Sequence, residues 1–377
     1  MKILYILNTA NKVNNFSKSS MNTSLKLGLE FHIAGNWNYL NTEAKEEDEL
    51  KYAIKIHQID FQRNPLHPKN LRALIQLIKL IKKEKYDLIH CNTPAGGVYG
   101  RLAAKICGVK KVIYQVHGFH FYKGASRLNW LIYYPIERML AHLTDVLVTI
   151  NFEDYNISKK FKLRKKGKSY YVPGVGFDIE ANKKINVDDT KIKEKLGLLT
   201  DDVVCISAGE LNTNKNTIVI LEALNLLKNP KIHYLLCGVG ELKEKLLKYS
   251  LNNNLDKNIH FLGYRNDIQE LLKISDIFVM PSFREGLSRS IMEAMANGLP
   301  CVVSKIRGNT DLVEDGKGGF LIEPTDSEEF AKKINLLAND FELREKMKNY
   351  NLEKIKDFDI KIVEKELEKI YKKVLGE

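Results

Sequence analysis

Long apolar runs are missing from this 377-residue chain, and their absence sets the first bound. No stretch approaches the ~18 uninterrupted apolar residues that a membrane-spanning helix needs. Cysteine is sparse. Five residues (Cys91, Cys107, Cys205, Cys237 and Cys301) are scattered with neither CxxC nor metal-type spacing. Three of them stand in strand-like apolar runs, where cysteine acts as a small hydrophobe, and the pattern points to the cytoplasm. No internal repeat or low-complexity linker is present. Residues 1–7, MKILYIL, are too short for a secretion signal, lack a small-residue cleavage pattern, and read as a first buried strand. Glycine is absent between that strand and Gly28, so the Asn- and Ser-rich loop 8–20 is a poor phosphate cradle.

What is present fits a globular protein of two domains, since the chain is too long for one ordinary core. Charge is unevenly shared. Residues 1–180 hold 28 Lys and Arg against 15 Asp and Glu, whereas the remainder holds 31 against 32. A basic first half implies an anionic partner: nucleic acid, an anionic membrane or a phosphorylated acceptor. Seven of the ten residues 159–168, KKFKLRKKGK, are basic; they are either a solvated loop or part of such a surface. Residues 126–141 are rich in aromatics, which either pack into the core or enter the half-wet boundary of a membrane. The acidic run 42–50 reads as solvated surface.

Apolar runs alternate with helical patterns along both halves. In the first, the strands 2–7, 86–91 and 111–116 are separated by helices over 69–85 and 93–106. A second alternation begins at Asp202, with strands 203–207 and 233–237 and a strand and loop over 259–265. Alternation of this length argues for open parallel α/β sheets. The segment 170–176, YYVPGVG, marks the boundary, and the Lys- and Glu-rich tail 327–375 is helical.

The stretch 276–303, DIFVMPSFREGLSRSIMEAMANGLPCVV, reads strand, loop, helix, turn, strand. Gly286 allows close backbone approach, Ser288 is a plausible N-cap, and the first-turn N–H groups suit a phosphate or diphosphate. Glu285 and Glu293 stand eight residues apart. Two acids beside a phosphate site would repel the phosphates, so they either accept hydrogen bonds from hydroxyls around it or are ordinary loop and helix-surface charges.

Glu285 and Glu293, set in PSFREGL and MEAMANGLPCVV, resemble the E-x7-E signature of the family-4 retaining glycosyltransferases. QVHGFHFYKGA with LNWLIYYPIER resembles the subgroup that builds bacterial exopolysaccharides and capsules. The likeness covers nearly the whole chain, best over about 65–180 and 203–325. It implies a GT-B fold, two Rossmann-like α/β domains facing a cleft. Residues 1–175 would form an acceptor-binding domain, 176–360 a nucleotide-sugar-binding domain, and 361–377 a helix crossing back to the first.

The resemblance implies roles as well. His117 borders the donor sugar; His120 either lines the acceptor side or simply packs. Lys215 neutralises the leaving diphosphate, with Gly209 in the same loop. The family writes Gly-Arg-Leu where this chain has Glu210, so Arg284 or Arg289 is expected to supply the second charge. Gly240 lies near base and ribose, Tyr264 and Arg265 at the base. Gly286, Leu287 and Ser288 form the phosphate-binding helix start, Glu293 takes ribose hydroxyls and Glu285 sugar hydroxyls. Transfer would retain configuration and use a nucleotide-sugar, most commonly a UDP-sugar in the family, without a cofactor or metal. Asp357-Phe358-Asp359 has the letters of a DxD motif but sits in the helical tail. The expected partners are a polyprenyl-diphosphate-linked acceptor and the inner face of the membrane, held through the basic half. A nucleotide-sugar epimerase is the nearer rival reading; a nucleic-acid-binding protein, lacking any recognised module, is the remoter one.

Overall fold

The computed structural model describes residues 1–10, 13, 15–38 and 42–376. They form two compact units, Met1–Gly176 with Ile360–Glu377, and Phe177–Asp359. In the first, strands β1 (Lys2–Thr9), β2 (Glu30–Asn36), β3 (Lys55–Gln58), β4 (Leu88–Asn92), β5 (Lys111–Val116), β6 (Val146–Thr149) and β7 (Lys168–Tyr171) make one parallel sheet in the order β3-β2-β1-β4-β5-β6-β7. In the second, β8 (Val203–Ala208), β9 (Ile232–Cys237), β10 (Ile259–Gly263), β11 (Ile277–Met280), β12 (Cys301–Ser304) and β13 (Gly319–Ile322) follow the order β10-β9-β8-β11-β12-β13. In both, the chain reverses direction across the sheet beside the first strand. Open α/β sheets bind ligands at that reversal, outside the strand carboxyl ends.

The strand sequences follow from this placement. With helices on both faces, a central parallel strand has no wet side, so it reads as a continuous apolar run. Ile277, Phe278, Val279 and Met280 are all buried, as are Ile3, Leu4, Tyr5 and Ile6. Each sheet therefore has two cores, one per face. In the first unit the helix Pro94–Ile106 lies very close to its sheet. A Cβ on Gly97 would come 2.3 Å from the Tyr114 ring, and one on Gly100 2.5 Å from Cys91 Sγ. All five cysteines are free thiols, and burial pushes Cys91 and Cys237 up to about 12.

One expectation needs correction. The loop expected over 8–20 gives way to a helix, Asn15–Lys26, while residues 11, 12 and 14 lie outside the described ones. Its Ser19, Ser20, Thr23 and Ser24 are buried beneath the chain's last helix, Ile360–Leu375, whose Val363, Leu367 and Tyr371 are buried in turn. Lys26 pairs with Glu368 at 2.7 Å, and Tyr371 OH meets His90 Nδ1 at 2.7 Å. The acidic run forms the helix Thr42–Tyr52.

Candidate active site

In the second unit, the loops leaving β8, β11 and β12 converge at the reversal point. After β8, Asn212 caps the turn Thr213–Lys215 by accepting the Lys215 N–H at 3.1 Å. Asn216 is left-handed and buried, and its amide donates to the carbonyls of Pro281 (3.2 Å) and Pro324 (2.7 Å). That fixes Lys215, whose Nζ lies 2.7 Å from Glu285 Oε1.

The loop after β11 is strapped from both sides. Asn214 accepts the Phe283 N–H at 2.8 Å and donates to the Arg284 carbonyl at 3.0 Å. From the other side, buried Arg307 donates Nε to the Glu285 carbonyl at 3.2 Å. Gly308, at φ +81°, presses on Gly286; a Cβ there would sit 2.3 Å from the Gly286 carbonyl oxygen, so only glycine fits. Ser288 then caps the helix Arg289–Ala296, accepting the Ile291 N–H at 3.4 Å. Its first turn is an anion-binding end by dipole and geometry.

The two acids are not solvated surface charges. Their side chains are each 15% exposed, and each is ion-paired: Glu285 with Lys215, Glu293 with Arg289 Nε at 2.7 Å. Arg289, expected to meet the diphosphate, is thus engaged along its own helix, and its guanidinium lies 5.9 Å from the Phe177 ring centre. Arg284 is exposed. Glu210 is exposed too, its carboxylate accepting from Asn212 at 2.9 Å within its own loop. Gly209 lies beside the Lys215 stem, where a Cβ would come 3.2 Å from Cε. Gly240 has a packing reason of its own, because a Cβ there would lie 2.3 Å from the Leu211 carbonyl oxygen. Leu287 is half-buried against the core, and Tyr264 is 72% exposed. Arg265 is gripped by Asp267, Nε to Oδ1 at 2.7 Å with a second contact through Nη2; that bond raises the arginine and lowers the carboxyl. Asp357 pairs with Lys354 at 2.9 Å, on the turn Ile355–Phe358.

The remaining candidates belong to the first unit. His117 follows β5; its Nε2 lies 3.1 Å from Asn92 Oδ1, the Phe16 ring covers it at 4.6 Å, and burial holds it down to about 4. His120 stacks on Tyr133, with ring centres 4.4 Å apart. Their loop is pinned where Asp154 accepts the Phe119 N–H at 3.1 Å. Arg307 went unnoticed in the sequence. Its only signal there is a basic residue directly before a glycine, just past a strand end.

Two Rossmann-like units, with a phosphate-suited helix start and paired acids in the second, define a GT-B glycosyltransferase. Residues 188–354 match the family described as glycosyl transferases group 1, and residues 2–151 match glycosyl transferase 4-like. EpsD of Bacillus subtilis, which carries a glycosyltransferase assignment, is 36% identical over 327 residues, 85% of this chain and 83% of its own. An Escherichia coli UDP-Gal:α-D-GlcNAc-diphosphoundecaprenol α-1,3-galactosyltransferase is 37% identical over 299 residues, 78% of this chain and 76% of its own. The chain belongs to the family-4 glycosyltransferases, among relatives that build bacterial surface polysaccharides. Anabaena HepE, solved with UDP and glucose, shares the fold at a TM-score of 0.80 with 21% identity, covering 99% of this chain and 100% of HepE.

Proposed function

We propose that this glycosyltransferase moves a sugar, with retention, from a UDP-sugar to a glycan carried on a polyprenyl diphosphate, at the cytoplasmic face of the membrane. The Lys215–Glu285 pair beside the capped helix start is the observation that supports this most. Donor recognition falls to the second unit and acceptor recognition to the first. Relatives named for undecaprenol-diphosphate acceptors and neighbours solved with UDP support the substrate classes.

In this reading the diphosphate lies against the helix start at Gly286, Leu287 and Ser288, with Gly209 leaving room for Lys215. As the C1–O bond breaks, negative charge grows on the leaving phosphate. Lys215 and the fixed N–H dipoles interact more strongly with that charge than with the ground state, which lowers the barrier. The acceptor hydroxyl bonds to C1 on the face the phosphate leaves, and its proton passes to a phosphate oxygen. No metal or cofactor is needed for that step. Donor binding parts Lys215 from Glu285, freeing the carboxylate for sugar hydroxyls while Glu293 takes the ribose. Gly240, Tyr264 and Arg265 border the base, with Arg265 set by Asp267. Arg284, with its freedom at the surface, is the better second cation of the two arginines on this loop and helix. His117 meets the donor sugar; the stacking on Tyr133 favours packing for His120.

The membrane contact is assigned to the helix Arg127–Ala141 and the basic run beside it. Among the helix residues only Leu140 and Ala141 are fully buried, while Leu128, Leu131 and Met139 are 61%, 73% and 63% exposed. Phe161 anchors the run to that helix through Tyr134, with ring centres 5.6 Å apart. Apolar tips flanked by lysines fit an anionic lipid surface. No helix among the described residues is long and apolar enough to cross a membrane.

A thermal-shift screen of nucleotide sugars, followed by transfer assays on undecaprenyl-diphosphate-linked sugars, tests the proposal. A UDP-sugar should raise the midpoint, and radiolabelled sugar should move to the lipid. Conversion of the donor alone into an isomer would sink it.

A further inference from the structure

β4 ends at Asn92, β5 ends one residue before His117, and the pairing of Asn92 with Gln115 brings the two strand ends side by side. Asn92 is buried, and its side-chain amide is oriented by its neighbours. Nδ2 donates to the His90 carbonyl at 3.4 Å, and turning the amide over would aim Oδ1 at that carbonyl. Oδ1 therefore faces His117 Nε2, 3.1 Å away, and only a protonated Nε2 completes that contact. A neutral imidazole has one ring proton, so Nδ1 is left as a bare acceptor. It is buried and finds no hydrogen-bond partner among the described residues.

We propose that Asn92 is a positioning residue that locks His117 as its Nε2–H tautomer, so that Nδ1 accepts a hydrogen bond from a sugar hydroxyl. This rests on the reading of His117 as a sugar-binding residue and adds the group that sets its polarity. A bare Nδ1 accepts, whereas an imidazolium or the other tautomer presents a proton to the hydroxyl and loses the geometry. The surroundings keep the ring neutral. Burial is the cause, Phe16 covers one side, and the titratable neighbour that feels its charge is His90. His90 is itself buried, held down to about 3, and turned towards Tyr371.

The full chain labelled with 15N-histidine tests the proposal without substrate. The His117 signals are those lost in His117→Gln. Between about pH 6 and 8 they should show a pyrrole-type Nε2 and a pyridine-type Nδ1. The reverse tautomer, or a mixture, overturns the proposal and leaves the transferase reading standing. Asn92→Asp provides the functional arm, because a carboxylate at the same position draws a second proton onto the ring. Its kcat/KM should match the unsubstituted enzyme at high pH and fall about tenfold per pH unit once below the raised pKa. A profile parallel to the unsubstituted enzyme overturns the proposal, and a merely misfolded variant would not recover at high pH. If the tautomer is as proposed but His117→Gln transfers normally, the reading of His117 fails instead.

Discussion

The two units lay their strands in the same order but furnish the reversal point in opposite ways. In the second, loops bring a lysine, two carboxylates and Arg307 around a capped helix start, and glycines let one loop lie on another. In the first, the described side chains at the strand ends, Asn8, Asn92 and Thr93, are neutral. Asn8 Oδ1 accepts the Gly96 N–H at 2.7 Å and the Thr93 hydroxyl at 2.9 Å, so the chain occupies the start of its own helix Pro94–Ile106. The glycines there seat helix on sheet rather than loop on loop. One topology thus yields a charged end in the second unit and a self-capped end in the first. Charge at the strand ends, not strand order, distinguishes the two.

The sharpest way to break the contrast acts on stability. Arg101 is fully buried, donating to Glu137 at 2.8 Å beneath the Tyr114 ring, within the first unit. Glu137→Ala should cost that unit about 3–5 kcal/mol, because a buried guanidinium loses its partner. Pairing Arg101→Met with Glu137→Leu should recover most of it. Urea unfolding followed by NMR signals from each unit checks this, and equal losses in both units would contradict their independence. Next comes Lys215→Ala, which should lower kcat by about 10²–10³ with the melting temperature preserved, whereas Asn8→Ala should destabilise the first unit and spare kcat.

Acid should also separate the units. His57, His117 and His90 in the first are held neutral by burial, at about 4, 4 and 3. In the unfolded chain each takes its proton near about 6.5, so stability drains as pH falls from there towards about 4. In the second unit His260 is also lowered, with His233 beside it, so its loss should be smaller. Amide exchange by unit at pH 7 and pH 5 reads the difference. Replacing Lys165 and Lys166 by Ala should weaken binding to anionic vesicles by about 1 kcal/mol each, with activity on a water-soluble acceptor unchanged. The smallest effect is expected of Arg265→Ala, less than about threefold on donor KM, because its guanidinium is already held by Asp267.

The strand–loop–helix–strand of 276–303 was legible because a buried parallel strand and a capped helix each write their own pattern. The helix Asn15–Lys26 was not. Its buried face is serine and threonine around a single methionine, Met21, and it is buried because a helix more than three hundred residues later covers it. The family likeness singled out Glu285 and Lys215 separately, and their pairing at 2.7 Å came only with the structure. Arg307 was not singled out at all, because what makes it matter is a carbonyl 22 residues away. The exposed leucines of Arg127–Ala141 show a similar limit: the letters suit core and surface alike, and only the fold decides between them.

The chain leaves the first unit at Gly176 and re-enters it at Ile360, side by side; a Cβ on Gly176 would sit 2.6 Å from the Ile360 Cα. The helix Ile360–Leu375 thus covers a unit made long before it, and the serines and threonines of Asn15–Lys26 stay open until that helix docks. Everything between can finish folding first.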